Sequence, residues 1–457
     1  MTNSANVMTM DGTRGRLDGQ LLLPGDAGYD EARAVWNALV DRRPKMIIRC
    51  AGSRDVVTAV RTARELDLEI GVKGGGHSAL GLAVPDEGLM IDLSLMSGVR
   101  VDPLRRRALV QGGALLGALD AASQQYDLAT TAGNVSHTGV GGLTLGGGMG
   151  WLARQHGLAC DNVVSFEVVT ADGEIVRASQ AERPDLFWSL RGGGGNFGVV
   201  TKFEFRLHLV AARVLVAEFS FPARHALSML CGWRDLLASA PRQATLSASV
   251  GPGEMVTVEL VWVGDPARGR RLLPALRALG RPASERVAEM SYLELQRRSD
   301  TVQKHALRRY STGHYLRQLP DEAIEAFLQR GAPDGRGENL PNAGLLGYGG
   351  AIADVPDEDT AFSHRDALVE YGVGTSWSYP AEDEARIAAA RRCAEALDPY
   401  ASGAYVNFLD DEGAEGVQRA YSPEKLARLT AVKNAYDPDN VFHLNHNIQP
   451  THRKRSC

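Results

Sequence analysis

Apolar and polar residues follow two different spacings in the first part of the chain. Apolar residues at 32, 35, 36 and 39 predict a helix over 29–41. The runs "KMIIRCAG" and "LEIGVK" predict two strands, and Ser53 between them is a suitable cap for a second helix. One face of that helix would consist of Val56, Val57, Val60 and Ala63. These elements form a β-α-β unit that leads directly into the stretch "VKGGGHS" at 72–78.

Further along, the pattern predicts a strand at "LMIDLS", a helix of small residues near 113–125 and a hairpin around Asp172-Gly173. From about 212 to 400, strands such as "LVAEFSF", "TLSASVG" and "VTVELVWVG" alternate with amphipathic helices. This alternation is typical of an antiparallel sheet backed by helices. We therefore predict an α+β fold with two domains.

Glycine is concentrated in three clusters before residue 200, at 74–76, 139–150 and 192–198. Successive glycine N–H groups can form a concave nest that binds an anion such as a pyrophosphate. A Rossmann site requires a helix directly after its glycines, but "GGGNFG" is followed by the alternating strand "VVTKFEFRLHL". Glycine-rich turns without a ligand would explain any one cluster alone, whereas three clusters favour a clamp on a phosphate-containing cofactor.

Composition excludes several classes of protein. The chain has 457 residues, enough for two or three structural units, and a formal charge of 50 − 55 = −5 that does not suggest a nucleic-acid or anionic-membrane partner. We find no apolar run long enough to span a membrane and no signal-peptide core at the N-terminus. The five cysteines are scattered and never spaced as C-x-x-C, so we expect neither a disulfide framework nor a metal site, and we expect a cytoplasmic location.

Four motifs together resemble one family. They are "VKGGGHS", "GVGGLTLGGGMGWLARQHGLACDNV", "RGGGGNFGVVTKFEF" and "AYDPDNVFHLNHNIQP". In this order, over about 30–450, they resemble the berberine-bridge-enzyme-like FAD-linked oxidases of the vanillyl-alcohol-oxidase/PCMH type, in particular bacterial members with one covalent flavin link. The resemblance implies a lead-in over 1–40, a two-lobed FAD-binding domain over 41–211, a substrate-binding domain over 212–400 and a C-terminal segment over 401–457.

The resemblance also implies which residues bind FAD. His77 matches the histidine that is linked covalently to the 8α-methyl group of the flavin. Val135 stands where many relatives have a second, cysteine link, so we expect a single tether, and Cys160 is expected to be a packed apolar residue. The other expected cofactor-binding residues are Lys73, Gly74, Gly75, Gly76, Ser78, Gly133, Ser136, His137, Thr138, Gly141, Gly142, Gly146, Gly148, Asp161, Gly198, Val200, Asn445 and Asn447.

For catalysis, residue matching places the family's carboxylate base on Asp354, which could equally be a turn-capping residue. Tyr405 and Asn407 are expected to bind a substrate hydroxyl, or else to be structural, and Thr138 is expected on the side from which oxygen approaches. The implied reaction moves a hydride from a C–H bond of a small alcohol, sugar, polyketide or alkaloid to FAD, and dioxygen then reoxidises the flavin. A secondary-metabolite role is expected; an oxygenase, a dehydrogenase or a non-catalytic flavin protein remain alternatives, and the oligomeric state stays open.

Overall fold

The computed structural model describes residues 12–251, 253, 255–300, 306–332, 335–337 and 339–451. The first eleven residues of the expected lead-in and the last six of the expected C-terminal segment lie outside the described residues. Eighteen strands in the described ranges form three main sheets and one two-stranded pair. Within the same ranges, no helix is long and apolar enough to cross a membrane.

The first sheet has the order β1-β2-β4-β3, in which β2, β4 and β3 run parallel and β1 is antiparallel to β2. Its strands are β1 (Gln20–Leu22), β2 (Met46–Arg49), β3 (Ile70–Lys73) and β4 (Leu89–Asp92). The helix between β2 and β3 covers this sheet with Val56, Val60 and Ala63, all fully buried. The predicted β-α-β unit is therefore confirmed, and β3 delivers the chain into the first glycine run.

The second sheet is antiparallel, with the order β5-β6-β10-β8-β9. Its strands are β5 (Val99–Asp102), β6 (Arg107–Gln111), β8 (Val163–Val169), β9 (Ile175–Ser179) and β10 (Val199–Arg206). The predicted hairpin is the β8–β9 pair, in which Gly173 adopts a φ of 72°. Two short strands, β7 (Leu128–Ala129) and β11 (His208–Leu209), form a separate pair beside it. The strand that follows "GGGNFG" is β10, as predicted.

The third sheet is a seven-stranded antiparallel sheet with the order β15-β12-β14-β13-β17-β18-β16. Its strands are β12 (Val214–Pro222), β13 (Ala244–Val250), β14 (Met255–Trp262), β15 (Ser284–Met290), β16 (Arg308–Leu316), β17 (Asn342–Gly347) and β18 (Val369–Trp377). One face packs against helices in an apolar core that contains Trp233, Phe327 and Tyr371. The predicted antiparallel sheet backed by helices is confirmed, and so is the α+β class.

The helices connect and cover these sheets. In chain order they are α1 (Tyr29–Arg33), α2 (Ser53–Glu65), α3 (Leu116–Ser123), α4 (Val140–Leu145), α5 (Ala153–His156), α6 (Pro184–Ser189), α7 (Ala226–Ser239), α8 (Pro266–Gly269), α9 (Leu273–Arg277), α10 (Tyr292–Arg297), α11 (Asp321–Gln329), α12 (Ala351–Asp354), α13 (Asp383–Glu395), α14 (Gly413–Ala420) and α15 (Pro423–Tyr436).

Two local predictions about these helices are wrong. The helix predicted over 29–41 ends at Arg33, because Ala34 is extended and the backbone N–H of Trp36 bonds to the carbonyl of Gly76 in the glycine run. Ser53 does not cap α2, since Gly52 occupies the cap position and the Ser53 hydroxyl donates to Glu167. In both cases a contact with a distant segment replaces the local interaction on which the prediction rested.

The C-terminal helix α15 brings the chain back to the glycine-rich half. Lys433 and Asp437 form a fully buried ion pair on it, at 2.6 Å. The Lys433 ammonium also donates to the carbonyls of Asn196 and Phe442, and both Asp437 oxygens accept backbone N–H groups. Because a buried charge is stable only when it is paired and hydrogen-bonded, this pair fixes the C-terminal segment against the loop at 192–198.

Candidate active site

The first two glycine clusters touch each other. A Cβ on Gly75 would lie 2.2 Å from the backbone nitrogen of Gly139, and one on Gly139 would lie 2.3 Å from that of Gly75. Real side chains do not tolerate such distances, so glycine is required at both positions. Gly74 is almost as restricted, since its Cβ would lie 3.2 Å from the Gly112 carbonyl. The two loops therefore pack directly on each other through their backbones at these positions.

His77 lies at the end of this surface in a cluster of aromatic rings. Its imidazole stacks on Trp36, with ring centroids 4.4 Å apart and an interplanar angle of 17°. Its Nε2 is 3.0 Å from Nδ1 of His137, which comes from the second glycine-rich loop. The guanidinium of Arg309, on β16, lies 4.3 Å from the Trp36 ring centre. Four separate segments of the chain thus determine the position of His77.

Beside His77, Lys73 donates from its ammonium to the Ala32 carbonyl at 2.5 Å. Burial lowers the pKa of Lys73 below its usual value. Ser78 accepts the backbone N–H of Gly81 through its carbonyl and is half-buried. Both residues flank the glycine run, as their sequence positions require.

The loop over 133–142 is held by the third sheet's connecting segments. The Ser136 N–H and hydroxyl both donate to Asp300, at 2.8 and 2.6 Å. Gln296 on α10 donates to the Gly133 carbonyl and to Asp120. The Thr138 carbonyl accepts the N–H of Leu116, so Thr138 is fixed through its backbone.

Helix α4 begins at Val140, within the last part of this range, and contains two expected cofactor residues, Gly141 and Gly142. Gly142 would have open space around a Cβ, with no heavy atom within 4 Å. A Cβ on Gly141 would lie 3.1 Å from the Gly112 carbonyl, so Gly141 is restricted by packing. Gly142 is therefore the one of these two glycines that has open space beside its backbone.

The stretch 146–148 meets the C-terminal segment. The Gly148 N–H donates to the Tyr405 hydroxyl at 2.9 Å, and the Asn407 amide donates to the same oxygen at 3.0 Å. A Cβ on Gly146 would lie 2.2 Å from Oδ1 of Asn407. The structure therefore brings Tyr405 and Asn407 against the second glycine cluster, although almost 260 residues separate them in sequence.

The third glycine cluster is met by the chain's final segment. Asn196 Oδ1 accepts the Ile448 N–H, and its amide donates to the carbonyls of Gly193 and His446. The Asn445 side chain approaches Gly195, whose Cβ would lie 3.1 Å from Asn445 Oδ1. Sequence reasoning missed Asn196, whose signal was a single amide inside an otherwise apolar and glycine-rich run.

Gly198 and Val200 have packing roles in β10. A Cβ on Gly198, where φ is 148°, would lie 2.7 Å from both the Val168 side chain and the Val169 carbonyl. Val200 is paired with Val168 and is buried. The carbonyl of Val200 lies 2.3 Å from the position of a Cβ on Gly112, which shows how closely β6 and β10 approach at this end.

A buried carboxylate with three tyrosines lies under the glycine loops. Glu370 on β18 is opposite Tyr315 on β16 in the ladder register, and it accepts a hydrogen bond from the Tyr348 hydroxyl. The Tyr348 and Tyr315 hydroxyls are 3.2 Å apart, and the rings of Tyr315 and Tyr405 are 6.2 Å apart between centroids. Burial raises the pKa of the Glu370 carboxyl to about 7 and raises those of the tyrosines above their usual value.

Glu370 begins a face of β18 that continues with Gly372 and Gly374. A Cβ on Gly374 would have no neighbour within 4 Å, and one on Gly344, on the adjacent β17, would have its nearest neighbour 3.8 Å away. The same face of the neighbouring strands carries small polar side chains, namely Ser247, Ser249 and Ser311. This sheet face therefore combines open space and hydroxyls with ionisable groups. Glu370 is one of them, and Glu259, opposite Ser247 on the same face, is another carboxyl whose pKa is raised by burial.

Asp354, which the sequence placed as the base, lies elsewhere. It ends the short helix α12, its side chain is 53% exposed, and it pairs with Arg242 at 2.5 Å. The stretch "GYGGAIADVP" is the connection that leaves β17, and this placement favours the turn-capping alternative for Asp354 over the role of base. The strand that presents a carboxylate is the next one, and its "VEYGVG" pattern was the missed signal.

Asp161 is also placed differently from the prediction. Its carboxylate is held by Arg365 at 2.7 and 3.1 Å and by the N–H of Leu158, and both charged side chains are about 95% buried. Because the Asp161 carboxylate already accepts hydrogen bonds from Arg365 and Leu158, it links two segments of the chain and has a structural role. The prediction assigned it to the cofactor because it follows directly after a motif that approaches the cofactor.

The residues present fit an FAD group on several observations. Two glycines of these loops have space beside their backbone: a Cβ on Gly142 would have no heavy atom within 4 Å, and one on Gly194 would have its nearest neighbour 3.6 Å away. Among the described residues, the buried amide oxygens of Asn134 and Asn447 accept no hydrogen bond, and both residues lie on the expected cofactor loops. A cofactor that carries both phosphates and N–H groups matches this combination. Its phosphates can accept from backbone N–H groups, and its N–H groups can donate to the two amide oxygens.

These features define the class of FAD-linked oxidoreductases with a PCMH-type fold, and comparison with known proteins identifies the family. Residues 44–179 match the FAD binding domain, and residues 404–449 match the berberine and berberine-like segment. The chain belongs to the family of FAD-linked oxidoreductases that combine these two regions, and it is an FAD-dependent enzyme.

Similar proteins include two characterised oxidases. (R)-6-hydroxynicotine oxidase of Paenarthrobacter nicotinovorans is 31% identical over 95% of this chain and 97% of its own length. Glucooligosaccharide oxidase of Sarocladium strictum is 29% identical over 91% of this chain and 89% of its own. The crystal structure of 6-hydroxy-D-nicotine oxidase from Arthrobacter nicotinovorans has a TM-score of 0.84 at 30% identity, covering 95% of this chain and 98% of that one.

A second solved structure bears on the cofactor. Glucooligosaccharide oxidase from Acremonium strictum has a TM-score of 0.86 at 26% identity, covering 97% of this chain and 99% of that one. That protein contains a 6-S-cysteinyl, 8α-N1-histidyl FAD. The expected FAD cofactor and the oxidoreductase class are confirmed for this chain.

Proposed function

We propose that this chain is an oxidase in which a singly linked FAD takes a hydride from a hydroxyl-bearing carbon of a small polar metabolite. FAD supplies the two-electron redox chemistry, and the protein binds, orients and deprotonates the substrate. The observation that carries the proposal is the buried Glu370 carboxyl, hydrogen-bonded to Tyr348 beneath the glycine loops. In this proposal the FAD-binding domain spans 41–211, the substrate-binding domain 212–400, and the segment 401–457 returns to the FAD domain.

The single covalent link is proposed at His77. The chain offers one histidine at the end of the first glycine run, and Trp36 and His137 hold its ring in place. Val135 cannot form a thioether, and the Cys160 thiol is fully buried with its pKa raised by burial. This loop therefore offers no second residue to which the flavin could be linked.

Glu370 is proposed as the general base. A base is most effective when its pKa is near the operating pH, and burial brings the Glu370 pKa to about 7. Tyr405 and Asn407 are proposed to orient the substrate where the C-terminal segment meets Gly148, and Thr138 to line the oxygen side. Asp354 has no part in this reaction, because it is solvent-exposed and paired with Arg242.

The substrate is proposed to be rich in hydroxyl groups. The open glycine face of β17 and β18 leaves room for a ring or short chain, and serine side chains on the neighbouring strands offer hydrogen bonds. Sugars fit this surface, and so do glycosylated or hydroxylated polyketides and alkaloids. The location is proposed to be cytoplasmic and the role to be tailoring of secondary metabolites.

A panel of candidates tests the proposal directly. Oligosaccharides, 6-hydroxynicotine and hydroxylated polyketides are mixed anaerobically with the purified yellow protein, and bleaching of the flavin is recorded. A substrate should bleach the flavin, and air should restore the colour with one hydrogen peroxide per turnover. Bleaching without peroxide would indicate a dehydrogenase or an oxygenase, and no bleaching by any class would favour a non-catalytic flavin protein.

A further inference from the structure

A short segment of the substrate-binding half holds the loop 133–138, here named the flavin loop, at two points. The Gln296 amide donates to the Gly133 carbonyl at 3.2 Å. Asp300 accepts the N–H and the hydroxyl of Ser136, at 2.8 and 2.6 Å. Because both contacts come from one segment, the position of that segment determines the position of the flavin loop.

Arg298, between these two residues, attaches the same segment to the third sheet. Its Nη1 lies 2.7 Å from Glu259 on β14, and its Nη2 lies 2.8 Å from Glu218 on β12. The two glutamates are opposite each other in the strand register, so one planar guanidinium fork can bridge them. The Glu259 side chain is only 17% exposed, so salt and water screen its pair weakly. The two ion pairs therefore hold Arg298 on the sheet.

The bridge lies on the same sheet face as Glu370. Glu259 is opposite Ser247, Ser247 is opposite Leu346, and Leu346 is opposite Glu370 in the strand register. Residues directly opposite each other in antiparallel strands share a face, and three steps of about 4.8 Å place the two carboxyl-bearing positions about 14 Å apart. Arg298 is thus fixed to the face along which the substrate is proposed to lie.

We propose that Arg298 is a positioning residue, which fixes the segment between Gln296 and Asp300 to the open sheet face and so sets the distance between the flavin loop and the bound substrate. The inference rests on the proposed function, in which the substrate lies between that face and the flavin. Arg298 acts through Gln296 and Asp300, while Glu370 remains the group that takes the proton.

Positioning of this kind matters because hydride transfer depends steeply on distance. Reacting atoms must approach to about 3–3.5 Å, and a misplacement of about 1 Å can cost on the order of 10²-fold in rate. Residues 133–138 form neither helix nor strand, so contacts with other segments determine where this loop lies. Gln296 is itself fixed, because its amide also donates to the buried Asp120 carboxylate at 3.0 Å.

The charges of the bridge make arginine the suitable residue at this position. Burial raises the pKa of the Glu259 carboxyl, and the nearby Arg298 opposes this effect. A lysine would keep the positive charge but would present a single ammonium in place of a planar fork, so it would bond well to only one glutamate. Arg298→Lys therefore loosens the bridge without removing its positive charge.

Arg298→Lys and the double variant Glu218→Gln/Glu259→Gln test the inference from both sides of the bridge. Each holoenzyme is compared with the wild type for visible absorption and for anaerobic flavin reduction by an active member of the substrate panel. The limiting rate at saturating substrate should fall about 10- to 100-fold, and the absorption maxima should shift. The pH midpoint of reduction should stay at about 7, because Glu370 is unchanged. Wild-type spectra and limiting rates in both variants would overturn the inference.

Arg277→Lys is the matched control. Arg277, at the end of α9, also grips both oxygens of one glutamate, Glu285 on the edge strand β15. The substitution removes the same kind of fork from the same half of the protein. This variant should keep the wild-type spectrum and limiting rate. If it changes both as much as Arg298→Lys does, general destabilisation explains the effect and the inference is overturned.

Asp300→Ala tests whether Arg298 acts through the flavin loop. The change removes the carboxylate that holds Ser136 and should by itself slow flavin reduction. Because the two residues are proposed to act on one loop, the combined variant Arg298→Lys/Asp300→Ala should be slowed by less than the product of the two single effects. Slowing by the full product would show that the residues act independently and would overturn the inference.

Hydrogen exchange of the flavin loop decides the inference without a substrate. Amide exchange in a peptide that covers 133–138, followed by mass spectrometry, should be faster in Arg298→Lys than in the wild type and unchanged in Arg277→Lys. Unchanged exchange in Arg298→Lys would overturn the positioning role. If no member of the substrate panel bleaches the flavin, the proposed oxidase fails, whereas exchange and the absorption spectrum still test Arg298.

Discussion

Replacing Glu370 with glutamine tests the proposed base. The change keeps the size of the side chain and lets the Tyr348 hydroxyl keep an acceptor, but an amide cannot take the substrate proton. A positioned general base contributes about 10²–10⁴-fold, so anaerobic flavin reduction should slow by that factor. Flavin content and thermal unfolding should remain close to those of the wild type.

The pH dependence gives a second, quantitative test. The ionised carboxylate is the form that accepts a proton, and the Glu370 pKa is about 7. The wild-type reduction rate should therefore rise with pH through about 7 and fall about tenfold for each unit below it. Glu370→Gln should have a flat profile in this range. Stopped-flow absorbance of the flavin under anaerobic conditions measures both quantities.

The corresponding acid-to-amide substitution at Asp354 distinguishes Asp354 from Glu370 as the base. Asp354→Asn removes an exposed ion pair with Arg242 and should leave the reduction rate and its pH profile unchanged. If instead Asp354→Asn abolishes the acid limb while Glu370→Gln reduces at the wild-type rate, the structural assignment of the base is refuted.

Three further predictions concern the cofactor and the scaffold. His77→Ala should release all flavin on acid precipitation while the fold persists, and acid-stable flavin in this variant would contradict the link. Val135→Cys should add a second link that shifts the visible spectrum and the tryptic flavopeptide mass; an unchanged mass would contradict the placement of this loop. Lys433→Met leaves the fully buried Asp437 without its partner and should lower the free energy of unfolding by about 3–5 kcal/mol, measured by urea denaturation. An effect below 1 kcal/mol would show that Asp437 is neutral or solvated.

The sequence predicted most of the strands and the cofactor loops because their signals are local. Alternation marked β10 clearly enough to reject a Rossmann helix after "GGGNFG", and three glycine clusters indicated close backbone approach. The α1 prediction was wrong for the opposite reason. The apolar spacing at Val35 and Trp36 is real, but these residues pack on the glycine loop and His77 instead of continuing the helix.

The sequence did not point to Glu370, the proposed base, because sequence position does not reveal burial. Asp354 follows a glycine-rich stretch, whereas Glu370 precedes one, and only Glu370 lies on a strand whose same face continues with glycines. Burial raises its pKa, and its neighbours Tyr315, on β16, and Tyr348, which directly follows β17, come from other parts of the chain. No local sequence pattern shows which distant side chains will meet around Glu370 on a seven-stranded sheet. The same holds for the pairing of Asp161 with Arg365.

The buried polar contacts between segments show how this site is assembled. Arg154 on α5, buried with its pKa lowered by desolvation, donates to the carbonyl of Tyr348, the tyrosine that bonds to Glu370. Arg365 forms a buried ion pair with the Asp161 carboxylate, which lies in the glycine-rich half. A buried charge without a partner costs several kcal/mol, so misdocked arrangements that leave these arginines unpaired are strongly disfavoured. The arginines therefore determine the alignment of the two halves, and the position of the carboxylate relative to the glycine loops follows from that alignment.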